Sequence, residues 1–259
     1  MMRRTYKFHL TSITGMLVMC LLLSSWSGCE KDPVEPVSNK GTVTDADGNV
    51  YQTIRIGNQW WTVEDLRTTH FRNGDAIEQI GTATADGTTW ANKTTAAYCN
   101  HVSGTAGKYF GLLYNGHAVT DSRGLAPDGW HVATEDDWKK LEKFMSMTPN
   151  DIDALNWRGT DQGQKLKVDG KGNGVWYQHE YLWASNSTGF SARPGGCRLF
   201  NTGEYNSPPG RVYLGFWWSS TKRTGTDELY YRHLDYKKTG VFRYYGPKSY
   251  GFIVRCVKD

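Results

Sequence analysis

An α+β fold is predicted, made of short antiparallel strands with one main helix near residues 134–146. Three observations predict it. One segment, Thr134 to Met145, combines a helix cap with helical apolar spacing. Apolar runs bounded by turn dipeptides lie before and after it. The composition, with 29 Gly, 11 Trp and 15 Tyr, leaves few long helix-forming runs and favours short strands joined by turns.

The chain opens on Arg3, Arg4 and Lys7, followed by an apolar stretch from Leu10 to Leu23 and the small residues Ser27 and Gly28 before Cys29. This is the layout of a secretory signal. The stretch is short of the roughly 20 apolar residues of a spanning helix. Ser27-Gly28-Cys29 resembles the lipobox of bacterial lipoproteins, although Trp26 stands where that motif prefers an aliphatic residue. The resemblance implies residues 1–28 as a cleaved signal and Cys29 as the lipidated first residue of the mature chain. It implies anchoring to a membrane; Glu30 and Asp32 after the lipid site, with no Asp immediately after Cys29, are compatible with outer-membrane display on the cell surface, the alternative being a periplasmic face. The alternative is an ordinary signal peptide cut nearby, with Cys29 left as a free thiol. Residues 29–40, with Pro33 and Pro36 among polar neighbours, read as a flexible tether. The domain is expected over residues 41–259.

Charge excludes one partner class. The whole chain has 30 Lys+Arg against 26 Asp+Glu, and three of the cations lie in the signal. A net of +1 remains on the mature chain, so no nucleic-acid footprint is present.

The first strands are read at Gly41–Thr44, Val50–Ile56 and Trp60–Val63, joined at Asp47-Gly48 and Gly57-Asn58. Asp45 to Asn49 has the acidic look of a calcium loop, but Gly48 falls at position four rather than six. A type I′ turn is expected there instead. Residues 65 to 110 read as irregular chain with short extended pieces, and Phe110 to Ala118 as a more apolar run.

At the helix, Thr134 is the N-cap, and Glu135, Asp136 and Asp137 place negative charge on the positive end of the dipole. Capping accounts for these carboxylates without catalysis. Trp138, Leu141 and Met145, with Phe144 beside Leu141, form the apolar face. A second short helix is read at Asp161–Lys167. The last third reads as strands at Val212–Ser219, Leu229–Tyr236, Val241–Tyr245 and Gly251–Val257, the last three forming an antiparallel meander.

Several segments taken in order resemble a known family. They are Ile56-Gly57-Asn58-Gln59-Trp60-Trp61, Tyr109-Phe110-Gly111-Leu112-Leu113-Tyr114-Asn115, Pro127-Asp128-Gly129-Trp130-His131-Val132, Pro194-Gly195-Gly196, Trp217-Trp218-Ser219-Ser220-Thr221 and Val254-Arg255-Cys256-Val257. Together they resemble the Fibrobacter succinogenes major paralogous domain over roughly residues 41–259. That family has no established activity. Its Gly-Trp-His segment followed by a Trp-containing helix is also similar to parts of formylglycine-generating-enzyme-like and C-type-lectin-like domains. The resemblance therefore implies a C-type-lectin-like architecture. It departs at Ala126, where members often have Cys, and at Cys197, where many have Tyr.

Cys99, Cys197 and Cys256 remain in the domain, and one bridge among them fits an oxidising compartment. The family comparison suggests Cys197 with Cys256, with Cys99–Cys256 as the competitor. Neither histidines nor cysteines have the spacing of a metal site, and no cofactor is expected. No P-loop, dinucleotide loop or nucleophile elbow is present. His131 reads as a hydrogen-bonded structural histidine. The tripeptides of lectin calcium sites are missing, so any sugar contact would rest on ring stacking. Trp183, Trp218, Tyr230 and Tyr244 are the candidate stacking residues, each weighed against a place in the core. The function expected is a non-catalytic binding module for a glycan or surface-protein ligand. The alternatives are an enzyme with an unrecognised site or a purely structural surface protein.

Overall fold

The first hairpin follows directly from its residues. Strands β1 (Lys40–Thr44) and β2 (Val50–Ile56) pair antiparallel, with Thr44 opposite Val50. In the loop between them the Gly48 amide donates to the Asp45 carbonyl, and Gly48 has φ +80°. Among the connecting residues only this glycine is left-handed, so the loop is a type I turn closed by a glycine bulge rather than the expected type I′ turn. Asp45 Oδ1 accepts from the amides of Asp47 and Asn49, and its Oδ2 accepts from Tyr51 Oη. The acidic residues thus serve the turn. Gly57, at φ +60°, reverses the chain into β3 (Gln59–Thr62). Lys40 already pairs with Ile54, so the first strand starts one residue before the expected Gly41.

This is a computed structural model; it describes residues 38–81, 86–101, 110–168, 176, 184–206 and 213–259, which belong to one unit, Ser38–Asp259. The expected signal, Cys29 and the tether up to residue 37 lie outside the described residues, as does Trp183. Among the described residues no helix is long and apolar enough to cross a membrane.

The segment read as irregular contains β4 (Glu78–Gln79), α1 (Gly87–Ala91) and β5 (Ala97–Cys99). The apolar run after it splits into β6 (Leu113–Asn115) and α2 (Gly116–Val119), with Asn115 Oδ1 capping the helix at Ala118. After β7 (Trp130–Val132) comes the main helix, α3 (Glu135–Phe144), with a reciprocal capping box between Thr134 and Asp137. Next follow α4 (Pro149–Asp153), β8 (Asn156–Arg158) and α5 (Gln162–Leu166), the last as predicted. The chain ends in β9 (Leu214–Lys222), β10 (Leu229–Asp235), β11 (Val241–Gly246), β12 (Gly251–Phe252) and β13 (Cys256–Lys258).

Three sheets result, with orders β1-β2-β3-β13-β7, β8-β11-β10-β9 and β12-β6-β5-β4. Among the described residues, all pairings of one named strand with another are antiparallel except β4 with β5. The architecture is a mostly-sheet α+β fold with few short helices. The expected terminal meander is shifted by one strand. It comprises β9, β10 and β11, and the Gly251–Val257 segment does not pair with β11. Instead β12 joins β6, and β13 sits between β3 and β7. Arg255, between them, explains the split. Its side chain is fully buried and its Nε donates to Asp65 Oδ1, which fixes the chain at a junction between sheets.

Two apolar clusters fill the interior. One gathers Trp61, Trp138, Leu141, Phe190, Trp217 and Leu234 around the inner face of α3. The other gathers Tyr51, Phe71, Tyr114, Trp130, Trp218 and Phe252. Trp138, Leu141 and Met145 are buried as their spacing predicts. Phe144, assigned to the same face, is 57% exposed.

Candidate binding groove

The carboxylates of α3 do more than cap it. Arg232 donates to both oxygens of Glu135, and its Nε donates to Glu142 Oε1 at 2.6 Å. Arg243 Nε reaches Glu135 Oε1 at 2.6 Å, and Arg158 reaches both oxygens of Glu142. All five side chains are buried between α3 and the β8-β11-β10 face. Glu135 is held at about 2, since Arg232 and Arg243 outweigh the burial that would raise it. Every carboxylate oxygen is engaged by a guanidinium, so this cluster ties the helix to the sheet and leaves no group available for acid–base work.

His131 is better exposed. Its Nε2 lies 2.8 Å from Asp137 Oδ2 and its Nδ1 lies 2.7 Å from Asp259 Oδ1. Hydrogen bonding to Asp137 is the main cause that raises its pKa, burial opposes, and Asp259 adds to the rise. A catalytic dyad needs a nucleophile on the histidine. The nearby hydroxyl, Thr134 Oγ1, instead donates to Asp137, and both imidazole nitrogens face carboxylates. His131 therefore links β7 to the start of α3, as the structural reading expected.

Among the described residues no group of three His, Cys, Asp or Glu side chains could hold a metal ion. Cys99, Cys197 and Cys256 are free, buried thiols, so neither Cys197–Cys256 nor Cys99–Cys256 is bridged. Cys99 lies in β5 of the third sheet and Cys256 in β13 of the first, while Cys197 is on the connection before β9. Burial pushes the Cys99 thiol up to about 11 and Cys197 to about 12. Both stay protonated and poorly nucleophilic.

Of the described stacking candidates, Tyr230 and Tyr244 both meet Tyr245, at 6.0 and 4.5 Å between ring centres, and Trp218 lies in the core. Trp218 is fully buried, and its indole N–H donates to the Tyr114 carbonyl at 2.8 Å. It is a core residue, because the polar edge and both ring faces are used inside. Tyr230 lies under the Arg243 guanidinium, 4.6 Å from the ring centre. Tyr244 stacks on Tyr245 at 4.5 Å. Across the β8-β11-β10-β9 sheet runs a row of half-buried rings, Trp157, Phe242, His233 and Phe216. They cover one another. Phe216 lies between His233 at 4.1 Å and Phe252 at 5.2 Å, both nearly parallel to it. The contacts on Phe216 thus take up faces that sugar stacking would use. Burial takes His233 down to about 4, so its ring is neutral.

A free ring face is found elsewhere. A groove between the β2–β3 turn and the end of α3 is lined by Gly57, Asn58, Gln59, Lys140, Lys143 and Phe144. The Phe144 ring is seated on Gly57: a methyl group there would lie 2.9 Å from ring carbon Cδ2. Glycine at this place thus meets two needs, the positive φ and the close approach of the ring. No other aromatic ring covers Phe144 among the described residues, and its outer side is open. Lys140 Nζ is 4.0 Å from Asp137 Oδ1, and its side chain is 66% exposed. Lys143 is exposed and has no ion-pair partner among the described residues. Gln59 Nε2 donates to Asp137 Oδ1, which fixes that side of the groove. A second groove, around His117, Asp227 and Lys248, differs in that its charges are neutralised within it, with Lys248 Nζ 2.9 Å from Asp227.

The groove was missed because Phe144 falls at i+3 from Leu141, at the margin of the apolar face, where spacing alone does not separate core from surface. The adjoining lysine pair and the Gly57-Asn58 turn were the available signals.

No curated protein and no solved structure matches this chain. The model of the Fibrobacter succinogenes major domain matches residues 54–258, a span that holds β3 to β13, α3 and the groove. The chain belongs to the Fibrobacter succinogenes major domain family.

Proposed function

We propose that this chain is a non-catalytic binding module, held outside the cytoplasm on a lipid at Cys29 and contacting a glycan or a surface protein. The observation that carries the reading is the groove beside Phe144, where an uncovered aromatic ring, two exposed lysines and the Asn58 amide meet. By contrast, the carboxylates of Glu135, Asp137 and Glu142 and the His131 ring are engaged in holding the fold. The reading retains the C-type-lectin-like architecture that the Gly129-Trp130-His131 segment and the following helix resemble. It places the protein on the outer membrane, with Glu30 and Asp32 after the lipid site compatible with surface display.

The test has two parts. Residues 38–259, which contain both apolar clusters, are screened on a glycan array and by pull-down against envelope proteins; a reproducible ligand is expected, and turnover of any captured ligand would contradict the non-catalytic reading. Cys29→Ala is expected to abolish palmitate labelling and membrane retention. Continued labelling in that variant would refute the anchor.

A further inference from the structure

Building on the binding-module reading, we propose that the Phe144 groove takes an acidic sugar, a pyranose bearing a carboxylate, within a polyuronate-type glycan. The occupant is argued from three features of the groove. The Phe144 ring rests against Gly57 on one side and is open on the other. A pyranose presents a flat patch of C–H bonds that suits such a face, while its hydroxyls stay at the rim. At that rim stands Asn58, whose amide both donates and accepts, as a hydroxyl partner requires.

Charge sets the class of sugar. Lys140 and Lys143 flank the ring on α3, and Lys143 has no carboxylate partner among the described residues. Asp137, 4.0 Å from Lys140, is shared with His131, Thr134 and Gln59. The groove is therefore left with uncompensated positive charge beside an uncovered ring. A sugar carboxylate supplies both the complement of that charge and a ring to stack. An acidic peptide fits less well. Among the residues lining the groove the exposed apolar side chain is Phe144, since Ile56 is 3% exposed, and an open ring face suits the flat C–H patch of a pyranose better than it holds an anchoring side chain.

The experiment measures binding of oligogalacturonate, of its carboxyl-reduced neutral counterpart and of polyglutamate to the purified protein by calorimetry. Phe144→Ala, Lys143→Gln and the wild type are compared, with melting curves to establish that both exposed substitutions leave the fold intact. Oligogalacturonate is expected to bind, and the neutral counterpart at least about tenfold more weakly. Phe144→Ala is expected to weaken binding by about tenfold, and Lys143→Gln to reduce both affinity and its salt dependence. Absence of oligogalacturonate binding overturns the inference, as does equal binding of the neutral glycan. Polyglutamate binding as tightly, with no effect of Phe144→Ala, would mean that the groove reads charge alone, which also overturns it. A ligand found on the array whose binding ignores both substitutions would leave the binding-module reading standing and remove this one.

Discussion

Removing the charge of Glu142 should destabilise the protein far more than removing Arg158, its own partner. Glu142 is fully buried and accepts four hydrogen bonds, at 2.9 and 2.7 Å from Arg158 and at 2.6 and 3.3 Å from Arg232. The buried cluster holds three arginines and two glutamates, so it carries one surplus positive charge. Glu142→Gln keeps the shape but leaves three guanidiniums facing one carboxylate. Breaking a buried pair in this way costs about 3–5 kcal/mol. Arg158→Met instead balances the cluster at two against two. It also removes Arg158 Nε, a buried donor with no partner among the described residues. Burial holds Arg158 below its ordinary range despite Glu142, whereas burial of Arg232 is outweighed by Glu142 and Glu135, which hold it above. Arg158 is therefore the surplus cation, and its replacement should cost about 1–2 kcal/mol. Urea unfolding of both variants measures the difference, provided the slope of the transition is unchanged. Equal losses, or a larger loss for Arg158→Met, would refute the charge argument.

Trp138 is 1% exposed and packs 5.2 Å from Trp61 and 5.7 Å from Phe190, so Trp138→Ala should cost about 3–5 kcal/mol; a loss below about 1 kcal/mol in urea unfolding would contradict its place in the core. Stability should fall on acidification in two ranges, because the groups concerned have folded pKa values below their ordinary ones and lose their contribution as pH falls through the folded value. The neutral His101 and His233, at about 4 against 6.5, act between those values, and Glu135 and Asp137, both at about 2, act below about pH 4.5. His131 acts in the opposite sense: its pKa is raised, so its stabilisation is complete below 6.5 and is lost as pH rises through the folded value; His131→Gln should flatten that alkaline limb in melting curves. Reductant should leave the melting temperature unchanged, and alkylation in denaturant without reductant should label Cys99, Cys197 and Cys256, whereas a linked peptide pair would contradict three free thiols. Millimolar calcium should not raise the melting temperature through the Asp45 loop, whose carboxylate oxygens already accept from Asp47, Asn49 and Tyr51; a chelator-reversible rise lost in Asp45→Asn would contradict this.

Local rules read well where one element decides its own form. Thr134 with Asp137 marks the start of α3, and Gly48 and Gly57 mark the two reversals of the first strands. The α+β class followed from the same signals. Non-local choices were less legible. The roles of Glu135 and Glu142 depend on arginines 90 to 108 residues away, at Arg232 and Arg243. The available signal was a cation inside an apolar run, as in Tyr231-Arg232-His233, Phe242-Arg243-Tyr244 and Val254-Arg255-Cys256, since the interior rarely buries an unpaired charge. Trp218 illustrates the same limit from the other side. Adjacent tryptophans on a strand point to opposite faces, so one solvent-facing ring is expected. Both Trp217 and Trp218 are buried because β9 has an apolar cluster on each face. The free ring turned out to be Phe144, on a helix that had been read only for its core.

The central claim is that ligand binding is located at the groove between the β2–β3 turn and the end of α3. Titrating isotopically labelled protein with oligogalacturonate and following the backbone amide shifts tests it most directly. The account predicts saturable shifts centred on Gly57, Asn58, Gln59, Lys140, Lys143 and Phe144, with the row from Trp157 to Phe216 undisturbed. Shifts centred on that row, or none at saturating oligosaccharide, would contradict it.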